Sequence, residues 1–184
     1  MNTQSQPAQV SATLPESFFR DIGGIVIELP ALPKPTFDDS SSNEHAGLED
    51  TSPVDPVELL IGTIIREGEQ NRIDSAEYTR RIVSIGGIFG GLQQAIFLVE
   101  NQDSHPEFVK LFSKVYEDEP VVYSRPYVDF LGFIRHTKDG NRFCPRIGIT
   151  YTERLFWGWT WLDRGCRISG YIAVARPPVP VVVG

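Results

Sequence analysis

The chain has 184 residues, of which 41% are hydrophobic and 22% charged, enough apolar material for one domain with tails. Its 16 glycines and 14 prolines fall short of a collagen or low-complexity composition, and its two cysteines exclude a disulfide scaffold. The net charge of −7 is split: residues 1–120 hold 8 basic and 20 acidic side chains, whereas residues 121–184 hold 9 and 4, an asymmetry that points to a charged partner for the C-terminal half.

In chain order, the polar stretch Met1–Val10 has no apolar core segment, so no signal peptide is expected and the protein is expected to be intracellular. Residues 1–19 read as a tail with Pro7 and Pro15. Ile22 to Leu29 is a short β-branched run, a strand that ends at Pro30 and can add an edge to a sheet. Residues 36–55, rich in Ser, Asp, Glu, Asn and Pro, have little to bury and read as a solvated linker. Residues 1–55 are thus expected to form a flexible arm and acidic linker, 56–176 a single domain and 177–184 a Pro/Val tail.

Three helix starts follow. Asp55-Pro56-Val57-Glu58 has an acceptor, a proline and a glutamate at capping positions, with Val57, Leu60, Ile61 and Ile64 on one face behind it. Asp74-Ser75-Ala76-Glu77 precedes a stripe of Tyr78, Ile82, Ile85, Phe89, Leu92, Ile96 and Val99 at helical spacing. Ser104-His105-Pro106-Glu107 precedes Phe108, Leu111, Phe112 and Val115. From Val121 the period changes to two. Asp139-Gly140 predicts a two-residue hairpin turn that sets Cys144 opposite Arg135 and His136 opposite Phe143. Pro145 belongs at a bulge or an unpaired position. Trp157 to Trp161 and Cys166 to Val174 alternate around a turn at Asp163-Arg164-Gly165, with Gly165 left-handed. The expected fold is α+β: an antiparallel meander of about four strands with three helices on one face.

Two constellations bear on function. Ile82 to Val99 carries no charge and contains Gly86, Gly87, Gly90 and Gly91 around Phe89. Glycine costs roughly 1 kcal/mol inside a helix, so tight packing or a membrane interface must offset it. The second is arginine with tryptophan. Trp159 and Trp161 are expected to share a sheet face with Arg167 and Tyr171, with Arg142, Arg146, Arg154 and Arg164 nearby. Planar guanidinium forks suit phosphate, so this set is the candidate polyanion site. No metal site is expected, since His45, His105 and His136 stand at no ligand spacing to the cysteines, and no cofactor motif is present. The expected register separates Cys144 from His136, so a nucleophile–base pair with Asp129 is not formed and no catalytic residue is assigned.

Cys166-Arg167-Ile168-Ser169-Gly170-Tyr171-Ile172 resembles a strand near the end of the rhabdovirus matrix proteins of lyssavirus type. The order of a Pro-containing arm before one α+β domain is also similar. The resemblance implies a non-enzymatic virion protein that self-associates and contacts anionic membrane or nucleocapsid. Unlike that family, the chain has no lysine-rich arm. The alternative reading from the residues themselves is a small RNA-binding regulatory protein using the basic aromatic face. No small-molecule substrate is indicated.

Overall fold

The computed structural model describes residues 18–36, 45–66, 68–69, 72–113, 116–118, 122–167 and 169–176. The 177–184 tail, residues 1–17 of the arm and 37–44 of the linker lie outside the described residues, as do Val115, Val121 and the side chain of Arg167. The strands are β1 (Arg20–Leu29), β2 (His45–Asp50), β3 (Val57–Thr63), β4 (Arg72–Ile73), β5 (Ile88–Phe89), β6 (Tyr116–Asp118), β7 (Val122–Ser124), β8 (Tyr127–Asp129), β9 (Phe133–Thr137), β10 (Arg142–Ile149), β11 (Leu155–Trp161), β12 (Cys166–Arg167) and β13 (Gly170–Arg176). The helices are α1 (Ser75–Ile85), α2 (Leu92–Glu100) and α3 (Pro106–Leu111).

The architecture is mixed α and β, built on one large sheet. Nine strands form it in the order β1-β3-β13-β8-β10-β9-β2, with β11 also on β10 and β5 also on β13. The sheet is therefore much larger than a four-stranded meander. It is not purely antiparallel either, because β13 pairs parallel to β8. Two-stranded pairs, β4 with β12 and β6 with β7, stand apart from it.

The helices do not share one face. Ala95 and Leu98 of α2, with Phe108 and Leu111 of α3, pack on Leu59, Ile61, Ile147 and Ala173. Tyr78 of α1 packs instead with Ile64, Leu131, Cys144 and Ile172 on the opposite face. Successive β13 residues feed the two cores alternately, Tyr171, Ala173 and Ala175 into one and Ile172 into the other. Strand side chains alternate between faces, so a two-sided core requires apolar residues at nearly every position of a central strand.

That requirement explains the first misreading. Residues 57–63 form a strand, not a helix, lying between β1 and β13. Val57, Leu59 and Ile61 are buried in one core, and Leu60 points the other way. A continuous apolar run contains helical spacing by chance, and proline is as acceptable before a strand as at a helix start. The linker reading is corrected in the same region, because 45–50 form β2 against β9. The 22–29 strand is present as β1, at the edge of the sheet.

The long helical stripe is broken. Asp74 caps α1 as expected, its side chain accepting from the Glu77 amide at 2.8 Å. Gly86 then ends the helix with φ +61°, a left-handed conformation that glycine adopts without strain. Residues 88–89 form β5, paired with Val174 and Ala175, and α2 starts at Leu92. Since α1 and α2 lie on opposite faces and β5 lies in the sheet, the chain passes through the sheet between them. The Gly90 amide bonds to the Ala173 carbonyl, and Gly132 donates to Gly90. A side chain at Gly90 would press on Phe130 and Leu59, and one at Gly91 on Ser52. Gly86, Gly87, Phe89, Gly90 and Gly91 therefore form a crossing segment rather than a packing or membrane-interface helix.

The remaining corrections concern register. In the Asp139-Gly140 hairpin, Arg135 pairs with Phe143 and His136 with Arg142, one residue off the expected pairing. The loop spans three residues, closed by Thr137 bonding to Asn141, with Gly140 at φ +79°. Pro145 sits in a central strand, but at a break in the ladder: its carbonyl accepts from Phe130 in the turn between β8 and β9. Its nitrogen faces that turn, so no ladder bond is lost. Finally, β11 and β13 do not form a hairpin. After a single 3-10 turn, Gly165 takes φ +74° with ψ −170°, not the left-handed helical value, and β12 leaves to pair with β4.

Candidate anion-binding site

The site is founded on Arg146 of β10. Its cross-strand neighbours are Gly158 on one side and Asp129 on the other. Gly158 presents no side chain, which leaves the sheet surface open beside the guanidinium. Asp129 is buried and takes two bonds from Arg146, at 2.6 and 3.0 Å, and a third from the Tyr78 hydroxyl at 3.2 Å. The guanidinium also lies 3.6 Å from the centre of the Tyr127 ring. Burial alone would lower the Arg146 pKa, but the charge and hydrogen bonds of Asp129 outweigh it and raise it above the ordinary value. Arg146 is a fixed, permanent cation.

Three further arginines converge on it. Together with Tyr127, Thr160, Trp161 and Ser169, Arg72, Arg125, Arg146 and Arg164 line a half-open pocket of about 300 Å³. Arg164, in the turn after β11, stacks 4.2 Å from the Trp161 ring centre. The Arg164 carbonyl accepts from Arg72 at 2.7 Å, and the β4–β12 pairing brings Arg72 there. Arg125, before β8, donates to the Thr150 carbonyl at 3.1 Å. Among the described residues, each guanidinium is held by an aromatic face, a carbonyl or, for Arg146 alone, a carboxylate. Guanidinium has five donors and no acceptor, so a wall of four of them suits an acceptor-rich anion.

Of the residues expected from sequence, the pocket brings together Arg146, Arg164 and Trp161 and leaves out the others. Arg142 faces the α1 side, paired with Asp163 at 2.9 Å and reaching Thr79. Arg154 pairs with Asp103 at 2.9 Å, both exposed. Trp159 packs against Phe133 and Trp157, with the Arg135 guanidinium 5.6 Å from its ring. Tyr171 is buried in the core that Trp157 packs against and does not line the pocket. Arg167 pairs through its backbone with Arg72.

Sequence reasoning missed Arg72, Arg125, Tyr127 and Ser169. Arg125 was visible as one of the C-terminal arginines. Arg72 carried no local signal, since only a long-range strand pairing places it.

The cysteines lie behind the pocket. Burial pushes the Cys144 thiol well above its ordinary pKa and that of Cys166 up to about 12, with the Tyr127 hydroxyl 3.8 Å from the Cys166 sulfur. Neither is a thiolate near neutral pH. Among the described residues, no group of three or more His, Cys, Asp or Glu side chains converges to hold a metal ion. None of the described helices is long and apolar enough to cross a membrane. Comparison with family models, with curated proteins and with solved structures found no match.

Proposed function

We propose that this chain is a non-catalytic assembly protein that holds a phosphate-rich partner, a nucleic acid or nucleoprotein, in its four-arginine pocket. The observation that carries the reading is the convergence of Arg72, Arg125, Arg146 and Arg164 on one cavity, with only Arg146 paired to a carboxylate among the described residues. Like charges held together without a counterion repel one another, and a bound phosphate relieves that repulsion.

Nucleic acid is favoured over an anionic bilayer by shape and by the remaining charge. The cations line a concavity, which a strand or chain end can enter and a flat lipid surface meets only at its rim. The rest of the chain is acidic enough to give a net −7, which opposes adsorption to an extended anionic surface. Self-association, implied by the resemblance to matrix proteins, belongs to the same proposal.

The test is the double variant Arg72→Ala/Arg164→Ala, assayed against single-stranded RNA and against anionic vesicles at several salt concentrations. The parent should bind RNA with a steep salt dependence, and the variant should lose about two units of the log–log salt slope. Equal RNA binding by parent and variant removes the pocket from the function. Vesicle binding that exceeds RNA binding reverses the choice of partner.

A further inference from the structure

Building on the phosphate-binding reading, we infer that the pocket takes a compact, multiply charged phosphate group, the di- or triphosphate of a nucleotide or of an RNA 5′ end. The singly charged phosphodiesters within a strand are not its preferred ligand.

The first argument is charge. Asp129 balances Arg146, but Arg72 and Arg125 are held by backbone carbonyls and Arg164 by an indole ring. These three partners orient a guanidinium without neutralising it. Among the described residues, three positive charges therefore remain over a cavity of about 300 Å³, at the lower end of the size range for small-molecule sites. One internal phosphodiester brings a single negative charge into such a volume. A diphosphate or triphosphate brings two to four, and its several terminal oxygens can each meet a guanidinium fork.

The second argument is the use made of the aromatic rings. Proteins that track a strand offer free ring faces on which successive bases stack. Here Tyr127 has the Arg146 guanidinium on one face, and Trp161 has that of Arg164. The rings serve to hold arginines in place, so the site spends its aromatic surface on phosphate recognition. Thr160, Tyr127 and Ser169 line the same cavity and give it a polar wall beside the arginines.

The experiment titrates the full chain with inorganic pyrophosphate and with orthophosphate, and then with one short RNA carrying either a 5′-triphosphate or a 5′-hydroxyl. Pyrophosphate should bind about tenfold or more tightly than orthophosphate, and the triphosphate RNA should exceed the hydroxyl RNA by a similar factor. A nucleoside triphosphate run as competitor separates the two sources. Affinity equal to that of the triphosphate RNA assigns the pocket to free nucleotides, and weaker affinity assigns it to RNA ends. The Arg72→Ala/Arg164→Ala protein should lose both preferences, whereas Lys110→Ala, at an exposed position of α3, should keep them. If the double variant loses its cooperative melt, Arg125→Ala supplies the same readout from an exposed position. Equal binding of the two RNAs overturns this inference and leaves the phosphate-binding function standing. Failure of every phosphate probe to bind overturns both.

Discussion

Asp129 is the residue on which most of the site depends. It is 2% exposed and accepts from both Arg146 and Tyr78, so it links strand β8, strand β10 and helix α1. Replacing it with Asn leaves the Arg146 charge without its counterion. Breaking a fully buried pair from one side costs about 3–5 kcal/mol; Arg146 keeps 28% of its side chain exposed, so about 2–3 kcal/mol is expected. Tyr78→Phe removes one neutral donor and should cost about 1 kcal/mol. Urea denaturation of the two variants checks the ranking, and a smaller loss in Asp129→Asn than in Tyr78→Phe would contradict it. A second charged cluster sets the acid limit. Arg81, 4% exposed, donates to Glu77, Glu69 and the Ile64 carbonyl. The Arg80 and Arg81 guanidiniums hold the Glu77 carboxyl down at about 2, against an ordinary 4.5, and Arg81 likewise lowers Glu69. A carboxylate with a depressed folded pKa contributes stability that is complete above its unfolded value and is lost as pH falls through the folded one. The melting temperature should therefore decline between about pH 4.5 and pH 2, and Glu77→Gln should flatten that decline.

The crossing segment 86–91 decides which elements tolerate change. Gly132 lies against it, and a methyl group there would run into the Phe89 carbonyl oxygen. Both sides of the clash are backbone, so no rotamer change relieves it. Gly132→Ala should destabilise by roughly 1–3 kcal/mol, whereas Gly47→Ala, with open space around it, should be nearly neutral; thermal melts of the pair decide. Elements whose signals are local were legible in the sequence: the Asp74 cap of α1, Pro106 at the start of α3, the β1 strand and the Asp139-Gly140 hairpin. Those decided at a distance were not. Val57 to Thr63 reads as helix or strand with equal ease until β1 and β13 are placed on either side. The break at Gly86 depends on a route through the sheet that periodicity cannot express. The site divides in the same way: Arg146, Arg164 and Trp161 come from one C-terminal stretch and were found, whereas Arg72 arrives through β4–β12 pairing and was not.

At the scale of the molecule, the N-terminal strands are part of the sheet. β1 pairs along β3, and β2 along β9, so each covers an edge. Deleting residues 1–55 should therefore expose the backbone of β3 and β9, lower the melting temperature and promote association, as light scattering during a melt would reveal. A fragment beginning at Pro56 that melts as cooperatively as the full chain would show those edges to be dispensable. The position of β13 has a different consequence. It is the last of the described strands, yet it lies inside the sheet between β3 and β8, with β5 also on it. Neither helical layer can close onto the sheet until residues 170–176 are in place. A chain without residues 170–176 thus presents both apolar faces without their shared centre. Pairings that join residue 60 to residue 174 give the topology a high contact order and a slow approach to the native state. Until β13 docks, both apolar faces stay open to association, a cost set by strand order alone.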